Sequence, residues 1–368
     1  MNELQKRTWA EIYPDNIRHN FFAIRSTIPK NCKFLGVVKA DAYGHGAVQI
    51  ADVLQTCGAD YLAVSCLDEA LELRNGGIKM PILILGHTPP EYTSVLIENN
   101  LTQTVTNLAK AKEYSEEAVK AFGTLKIHIK LDTGMSRLGF LLDGAADNIA
   151  ESCSLPNLEH EGIYTHFAVA DETDADSIAY TKMQFKAFID TIDDLKSRGI
   201  EFNIRHCSNS GAVVNHLEMS LDMVRPGLLL YGYGDGGKLG LKPCMKLVTT
   251  VSTIKYYEAG TDVSYGRKYT TGKRTRMGVM AIGYADGLPR IASGKCSFFV
   301  EGKFAPQCGS ICMDMSMIDL TDVYDAAVGS EVEIFGSNSD INNLSKAAGT
   351  IPYELLCSVT KRVPRVYK

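Results

Sequence analysis

The sequence predicts an α/β protein with an N-terminal (β/α)8 TIM barrel and a C-terminal all-β domain. Its 368 residues exceed one ordinary domain and indicate two. From residue 12 to about residue 231, short β-rich runs alternate with amphipathic helical stretches, and beyond a glycine-rich connector strand-like runs follow one another. We therefore expect a barrel over residues 12–236 and a β domain over residues 237–368, which also takes in residues 1–11 as an N-terminal strand.

The barrel is expected because the strand-and-helix unit repeats eight times. The predicted strands are 33–39, 61–65, 82–86, 102–106, 125–131, 160–166, 203–207 and 223–231. Between them, apolar residues recur at helical spacing, as in residues 14–28 and 176–198. Eight regular units favour closure into a barrel, and an open doubly wound sheet is the alternative.

The β domain is expected from runs with strand-like composition and little helical periodicity. They cover residues 247–257, 277–282, 297–300, 315–320 and 331–334, with a short helix near 341–347. Thr8–Ile12 is also a predicted strand, and since no barrel helix precedes it, we expect it to pair with the β domain. The connector at 232–237 matches G-x-G-x-x-G, but no helix follows it, so we interpret it as a linker rather than a dinucleotide site.

Composition and charge exclude several classes of protein. The net charge of -5 gives no reason to expect nucleic acid as a partner. No apolar run approaches the ~18 residues of a membrane span, and the N-terminus lacks the apolar core of a signal peptide, so we expect a cytoplasmic protein. The ten cysteines have no framework spacing and are expected to be reduced. No second Cys/His pair accompanies Cys308 and Cys312, so no metal site is expected.

Polar side chains recur where the barrel strands are predicted to end, which is where TIM barrels carry their reactive groups. Lys39 is the last residue of the first predicted strand, and an amine fixed and desolvated there is suited to act as a nucleophile. The later strand ends carry Lys130, Asp132 and Arg137, then His166, then Asn209 with Ser210, and finally Arg225 with Gly227. One amine, several cations and a helix start able to hold an anion suggest pyridoxal phosphate (PLP) as cofactor.

The motifs around these residues resemble the alanine racemase family of fold-type III PLP enzymes over nearly the whole chain. In the barrel the matching motifs are VVKADAYGHG at 37–46, KLDTGMSRLG at 130–139 and MVRPG at 223–227. In the β domain they are VSYG at 263–266, IGYADG at 282–287, ICMD at 311–314, GTIPYE at 349–354 and RVPR at 362–365. The resemblance implies a racemase that supplies D-alanine for peptidoglycan.

The resemblance also implies which residues bind the cofactor. Lys39 would link to it covalently, and Arg225 would face its ring nitrogen. Because an arginine only donates hydrogen bonds, it should leave that nitrogen unprotonated and favour racemisation over transamination. The phosphate would be held by Tyr43, Ser210, Gly227 and Tyr353, and His166, Asn209 and Leu228 would complete the cofactor site.

Racemisation requires a base on each face of the substrate Cα, and the resemblance pairs Lys39 with Tyr265 of a second subunit. A homodimer with shared active sites is therefore expected. Arg137 and the backbone at Met313 would hold the substrate carboxylate. Lys130 is a possible carbamylated lysine that would orient the arginine. Tyr284, Cys312 and Asp314 would line the mouth of the site.

Three alternatives remain open at this stage. A serine or broad-specificity racemase of the same family is the first, although Tyr353 favours a narrow pocket. The second is a barrel-fold basic amino-acid decarboxylase, against which the 37–46 motif argues. The third is a non-catalytic PLP-homeostasis protein, which would lack the second domain that carries Tyr265.

Overall fold

A computed structural model describes residues 6–234 and 237–368. Its contacts divide the chain into two compact units. The first contains residues 15–42 and 47–242, and the second contains residues up to 14, residues 43–46 and residues 243–368. Connector residues 235 and 236, and residues 1–5 of the expected N-terminal strand, lie outside the described residues.

The first unit is a parallel β barrel surrounded by helices. After β1 (Thr8–Ile12) of the second unit and helix α1 (Pro14–Thr27), its strands are β2 (Lys33–Val37), β3 (Tyr61–Val64), β4 (Ile82–Ile84), β5 (Leu101–Val105), β6 (Leu125–Asp132), β8 (Leu158–Tyr164), β9 (Ile204–His206) and β10 (Met223–Val224). They pair in parallel in that order, and β10 returns to pair with β2; a short β7 (Phe140–Leu141) pairs with β6. Between β9 and β10, Asp222 N–H donates to Arg205 O and Arg225 N–H to Ser208 O, which nearly closes the ring.

The helices of this unit follow the strands as predicted. After the helical turn α2 (Lys39–Gly44) they are α3 (Ala47–Cys57), α4 (Leu67–Asn75), α5 (Thr93–Glu98), α6 (Leu108–Lys120), α7 (Ala145–Cys153), α8 (Ala175–Ser197) and α9 (Ser210–Asn215). The apolar stripe of α1, with Ile17, Phe21 and Ile24, is fully buried. Strands β3, β4 and β10 are continuous apolar runs, as expected for strands covered on both faces, whereas β5 and β6 also contain buried polar residues such as Gln103 and His128.

Some strand ends predicted from sequence were wrong. The strand expected over 223–231 ends at Val224, and a 3-10 turn over Leu228–Tyr231 replaces its second half. Pro226 has no N–H for a ladder and Gly227 leaves the strand conformation, with φ -112° and ψ -90°. Likewise β2 ends at Val37 and β8 at Tyr164, so Lys39 and His166 lie just beyond their strands.

The second unit is an antiparallel sheet that closes on itself. It contains β11 (Met245–Tyr257), β12 (Asp262–Val263), β13 (Tyr269–Thr270), β14 (Thr275–Met280), β15 (Ser297–Val300), β16 (Lys303–Cys308), β17 (Ser316–Asp319), β18 (Glu331–Phe335) and β19 (Arg365–Tyr367). The sheet order is β14-β17-β16-β15-β18-β11, and β14 also pairs with β11, so six strands form a ring without free edges.

The N-terminal strand pairs within this second unit, as predicted. β1 is antiparallel to β11 and parallel to β19, a C-terminal strand that the sequence did not reveal. Helices α10 (Ile341–Ala348) and α11 (Pro352–Ser358) complete the unit. Within residues 6–234 and 237–368, none of the helices has the length and apolar character needed to cross a membrane.

Candidate active site

Lys39 follows a strand end that is fixed from three sides in the first unit. Val38 N–H donates to Ala63 O at 2.9 Å, and the Tyr231 hydroxyl donates to Val37 O at 2.8 Å. On the other side of the lysine, Ala40 N–H donates to a carboxylate oxygen of Glu69 at 2.7 Å. Glu69 also accepts from Ser65 N–H, so it ties the turn after β3 to the turn after β2. The lysine backbone is therefore held rigidly.

The turn that begins at Lys39 is left-handed. Ala40, Asp41, Ala42 and Tyr43 have φ between 52° and 54°, and Gly44 has φ 80°. Each L-residue in this conformation costs about 1–2 kcal/mol, so several in succession are rare. Strain of this kind persists where surrounding contacts impose it, typically at functional sites. The sequence predicts a glycine-rich turn here but not its handedness.

Arg225 is buried at the carboxyl end of the barrel among acceptors. One Nη donates to His206 Nδ1 at 3.0 Å. The other contacts Thr165 O at 2.9 Å, Cys207 O at 3.1 Å and His166 Nδ1 at 3.2 Å. Among the described residues, the Nε–H of Arg225 has no acceptor. The guanidinium is thus oriented and keeps a donor for another group.

A chain of buried hydrogen bonds leads from Arg225 into the barrel. His206 Nε2 lies 2.8 Å from His128 Nδ1, and His128 Nε2 lies 3.3 Å from the Glu161 carboxylate. Since Arg225 can only donate and the carboxylate can only accept, every bond runs in one direction. Both histidines are therefore neutral, with Nε2 protonated. Burial, opposed only in part by Glu161, lowers the pKa of His128, and burial together with Arg225 holds the pKa of His206 well below its ordinary value.

His166 is held neutral in the same way. Its Nδ1 accepts from Arg225, which leaves the proton on Nε2. Burial, followed by the positive charges of Arg225, Arg137, Lys130 and Lys39, holds its pKa well below the ordinary value. The barrel end is therefore a cationic pocket in which the histidines stay uncharged.

Ser210 and Gly227 meet at the start of α9. Gly227 N–H donates to the Ser210 hydroxyl at 2.9 Å, and the neighbouring Leu228 is buried. The side chain of Asn209 caps the helix by accepting from Ala212 N–H at 3.0 Å. Asn209 therefore positions this turn through its side chain.

Lys130 and Arg137 lie on one turn organised by Asp132. The Asp132 carboxylate accepts from the backbone N–H of Gly134, Ser136 and Arg137. Lys130 Nζ donates to Leu138 O at 3.0 Å and is almost fully buried. Burial, and then the charges of Arg137 and Arg225, lower the pKa of Lys130 to about 8.

In the second unit, Tyr43 and Tyr353 form an aromatic pair with ring centroids 5.9 Å apart. Burial, and next the proximity of Tyr353, raises the pKa of the Tyr43 phenol, so it stays a hydrogen-bond donor. The backbone beside it is fixed because Arg365 Nε donates to Gly44 O at 2.9 Å.

Tyr265 stands on a strained turn of the second unit and is 69% exposed. Ser264 and Gly266 on either side have φ 67° and 74°. The turn is anchored because the Ser264 hydroxyl donates to Ser310 O and the Ser310 hydroxyl donates to Tyr265 O. A rigid, strained turn that presents an exposed tyrosine is not an ordinary surface loop.

The segment 312–314 lies in the same concave surface as Tyr265. Met313 is 53% exposed, and the Cys312 thiol lies 3.6 Å from the Ser264 hydroxyl. Tyr284 N–H donates to Cys312 O at 3.0 Å, so the predicted mouth residues Tyr284, Cys312 and Asp314 are neighbours of Met313. In the first unit, the predicted site residues that lie together are Lys39, Lys130, His166 and Arg225.

Sequence reasoning missed His128, His206, Glu161 and Glu69. His128 is two residues before Lys130 on β6 and so shares its face, a signal that the sequence contains. Glu161 and His206 lie on neighbouring strands, and only the strand register aligns them. Nothing in the sequence connects Glu69 with Ala40.

Comparisons with known proteins agree along the whole chain. Residues 12–235 match the family model "Alanine racemase, N-terminal domain", and residues 244–367 match "Alanine racemase, C-terminal domain". The chain is 45% identical to an alanine racemase of Clostridium tetani, covering 98% of this chain and 95% of that protein. It is 43% identical to one of Desulforamulus reducens, covering 99% and 100%.

Solved structures give the same result. An alanine racemase of Clostridium difficile 630 superposes with a TM-score of 0.95 at 39% identity, covering 100% of this chain and 97% of that one. The same enzyme in complex with cycloserine gives a TM-score of 0.90 at 37% identity, covering 99% and 96%. By sequence, by domain order and by fold, the chain is an enzyme of the alanine racemase family.

Proposed function

We propose that the protein interconverts L-alanine and D-alanine with PLP as cofactor, using Lys39 and the partner's Tyr265 as opposed bases in a homodimer. The observation that carries this proposal is Arg225. It is buried at the carboxyl end of the barrel, oriented by four acceptors, and keeps an Nε–H without an acceptor among the described residues. A fixed, charged donor of this kind fits a pyridine nitrogen.

The remaining groups fit the other parts of PLP. The Ser210 hydroxyl and Gly227 N–H offer short polar contacts for a phosphate, with Asn209 and Leu228 shaping that turn. Tyr43 and Tyr353 would contribute two phenols to the same phosphate. Lys39, on its rigid turn, would provide the amine that the cofactor's aldehyde requires.

When bound, PLP supplies the electron withdrawal that weakens the Cα–H bond of the amino acid. Lys39 would move the proton on one face of Cα and the partner's Tyr265 on the other. His166 carries its proton on Nε2 and could donate a hydrogen bond to the tyrosine oxygen. Arg225, Lys130 and Arg137 surround this histidine with positive charge, which favours an anionic neighbour.

The exposure of Tyr265 and Met313 supports a shared active site. Both belong to an apolar concave surface with Val263, Met277 and Met315, and a soluble protein rarely leaves such a surface uncovered without function. A second copy related by two-fold symmetry would complete two sites at once.

The substrate carboxylate would be held by Arg137 and the backbone N–H of Met313. Lys130 has a pKa of about 8, so a useful fraction of it is a neutral amine near neutral pH. A neutral amine reacts with carbon dioxide, and a carbamate at Lys130 would attract Arg137 instead of repelling it. The structure thus gives a physical reason for carbamylation at this lysine.

We place this activity in the cytoplasm as the supply of D-alanine for peptidoglycan. Within the described residues, no disulfide joins Cys32, Cys57, Cys66, Cys153, Cys207, Cys296, Cys308 or Cys312, which is typical of a reducing compartment. The relatives named above are bacterial alanine racemases.

Tyr265→Phe tests the two-base assignment. The variant should keep the visible absorbance of the bound cofactor but lose turnover by at least about 10²-fold, because one proton carrier is gone. Tyr324→Phe is the matched control: this tyrosine of the same unit is also exposed, and its loss should leave turnover unchanged. Normal racemisation by Tyr265→Phe would refute the assignment.

A further inference from the structure

A fully buried carboxylate lies beneath the 312–314 segment. The Asp286 side chain is 0% exposed and accepts from Arg7 at 2.8 Å and 3.1 Å, from Arg362 Nε at 2.7 Å and from Gly283 N–H at 2.9 Å. Burial alone would raise the pKa of Asp286, but hydrogen bonds from Arg7, Arg362 and Gly283 outweigh it and lower the pKa. The group is therefore a carboxylate anion near neutral pH, shared by two arginines.

The same two arginines reach the segment itself. Arg362 Nη2 donates to the Asp314 carboxylate at 2.8 Å, and Arg7 Nη2 donates to Asp314 O at 3.2 Å. Arg362 thus bridges Asp286 and Asp314 through separate nitrogens, whereas both Nη groups of Arg7 bind Asp286 and one of them also reaches Asp314 O. Arg7, just before β1, and Arg362, near the C-terminus, are therefore both joined to Asp286 and to residue 314.

The turn that carries Asp286 holds the two preceding peptides. Tyr284 N–H donates to Cys312 O, and Ala285 N–H donates to Met313 O, both at 3.0 Å. A Cβ at Gly283 would lie only 2.3 Å from these two carbonyl oxygens, so the segment packs directly on the turn. The carbonyl groups of 312, 313 and 314 are all fixed by the turn or by the arginines.

A buried ion-pair cluster of this kind adds little net stability. Removing a carboxylate from water costs several kcal/mol, which close pairing offsets with little net gain. Such clusters are better explained by the geometry that they fix. Here the fixed element is a peptide whose neighbouring side chains, Met313 and Met315, are each 53% exposed.

We propose that Asp286 is a positioning residue for substrate binding. Through Arg7, Arg362 and the 283–286 turn, it sets the direction of the Met313 N–H that binds the substrate carboxylate in the partner subunit's site. This inference rests on the proposed function, and specifically on the role of Met313.

Asp286→Asn tests the proposal in the holoenzyme. The amide presents an NH2 group to two arginines and cannot hold both, so the 312–314 peptide loses its anchor. The KM for alanine should rise about tenfold in both directions while kcat changes less than about threefold, as expected when ground-state binding is lost. The visible absorbance of the bound cofactor should not change.

Two further variants separate positioning from folding. Arg362→Lys keeps the charge but cannot bridge two carboxylates, and its partly exposed position makes it a milder change to the fold than Asp286→Asn. Its KM should rise in the same direction by a smaller factor. Glu333→Gln is the matched control. Glu333 is another buried carboxylate of the second unit, but its hydrogen bonds go to Asn338 and Ser339, so KM should stay unchanged.

Mixed dimers show which site is affected. When the only working Lys39 lies in the subunit opposite Asp286→Asn, KM should be raised; when it lies in the same subunit as Asp286→Asn, KM should be normal. Equal KM values in wild type and in both the Asp286 and Arg362 variants would overturn the inference, as would a KM shift of the same size in both mixed dimers. Dimers of Lys39→Ala with Tyr265→Phe that stay inactive after subunit exchange would reject the shared site, and with it the proposed function on which this inference rests.

Discussion

At the scale of single residues, the site is governed by an excess of buried positive charge. Burial, and then the charges of Arg225, Arg137 and Lys130, lower the pKa of His166, and the Asp132 carboxylate accepts from three backbone N–H groups. Histidines in such surroundings cannot take up protons near neutral pH. Their tautomers fix the direction of the hydrogen bonds, and the positive charge stays on Arg225.

Lys130→Met tests the cost of this charge. Because the pKa of Lys130 falls to about 8 in the folded chain, its cation destabilises the fold below pH 8, and the penalty fades as pH rises from about 8 toward the unfolded value of ~10.4. In CO2-free buffer at pH 7 the variant should therefore have a higher Tm than wild type, and the gain should shrink above pH 8.

Bicarbonate extends this measurement to the proposed carbamate. It should raise the Tm of wild type and leave Lys130→Met unchanged, and Lys126→Met on the same strand serves as the control for losing a lysine. A variant less stable than wild type at pH 7 without CO2 would contradict the depressed pKa.

At the scale of elements, the decisive feature is the left-handed turn after β2. Its positive φ values are unfavourable for alanine, aspartate and tyrosine. Hydrogen bonds to two carboxylates hold the turn in this conformation. Glu69 accepts from Ala40 N–H, and the Asp41 carboxylate accepts from Ala47 N–H at 2.7 Å. Two carboxylates therefore hold both ends of a strained segment that begins at the reactive lysine.

Gly44→Ala tests how tightly this turn is held. At φ 80° a Cβ would lie 2.5 Å from Leu356 O, so the alanine has both an unfavourable backbone conformation and a clash. The free energy of unfolding, measured in urea, should fall by more than about 1–2 kcal/mol, the cost of the backbone effect alone. Gly58→Ala is the control, since Gly58 has φ 88° but nothing within 4 Å of its Cβ. Equal losses for the two variants would show that the turn can relax.

At the scale of the whole molecule, the proposed site requires Tyr265 and Met313, two residues that are exposed to solvent in a single chain. Tyr265 and Met313 are presented to solvent on rigid segments of the second unit, whereas Lys39, His166 and Arg225 belong to the first. Shared sites make activity depend on which residues face each other across a dimer.

Subunit mixing tests this dependence. Lys39→Ala and Tyr265→Phe should each be inactive alone. Mixed in equal amounts and allowed to exchange subunits, half of the dimers carry one intact site of two, so activity should recover to about a quarter of wild type. Absence of recovery after exchange, verified by native mass spectrometry, would rule out shared sites.

Much of the fold follows from local pattern. The eight strands and the helices α1 and α8 were predicted to within two or three residues at most ends, because covered parallel strands are short apolar runs and surface helices repeat at helical spacing. The prediction over 223–231 was wrong because an apolar run after Pro226-Gly227 has the composition of a strand but lacks a continuous backbone ladder.

The sequence by itself determined the barrel, the all-β second unit and the motifs that identify the family, since periodicity and motif spacing are local properties of the chain. Only the tertiary structure decided the handedness of the turn after Lys39, the one-way hydrogen-bond chain from Arg225 to Glu161, and the joining of Arg7 and Arg362 at Asp286. Those features depend on strand register and on contacts between residues far apart in sequence. The free energy that stabilises these features comes from burial, and burial requires several segments of the chain to pack together.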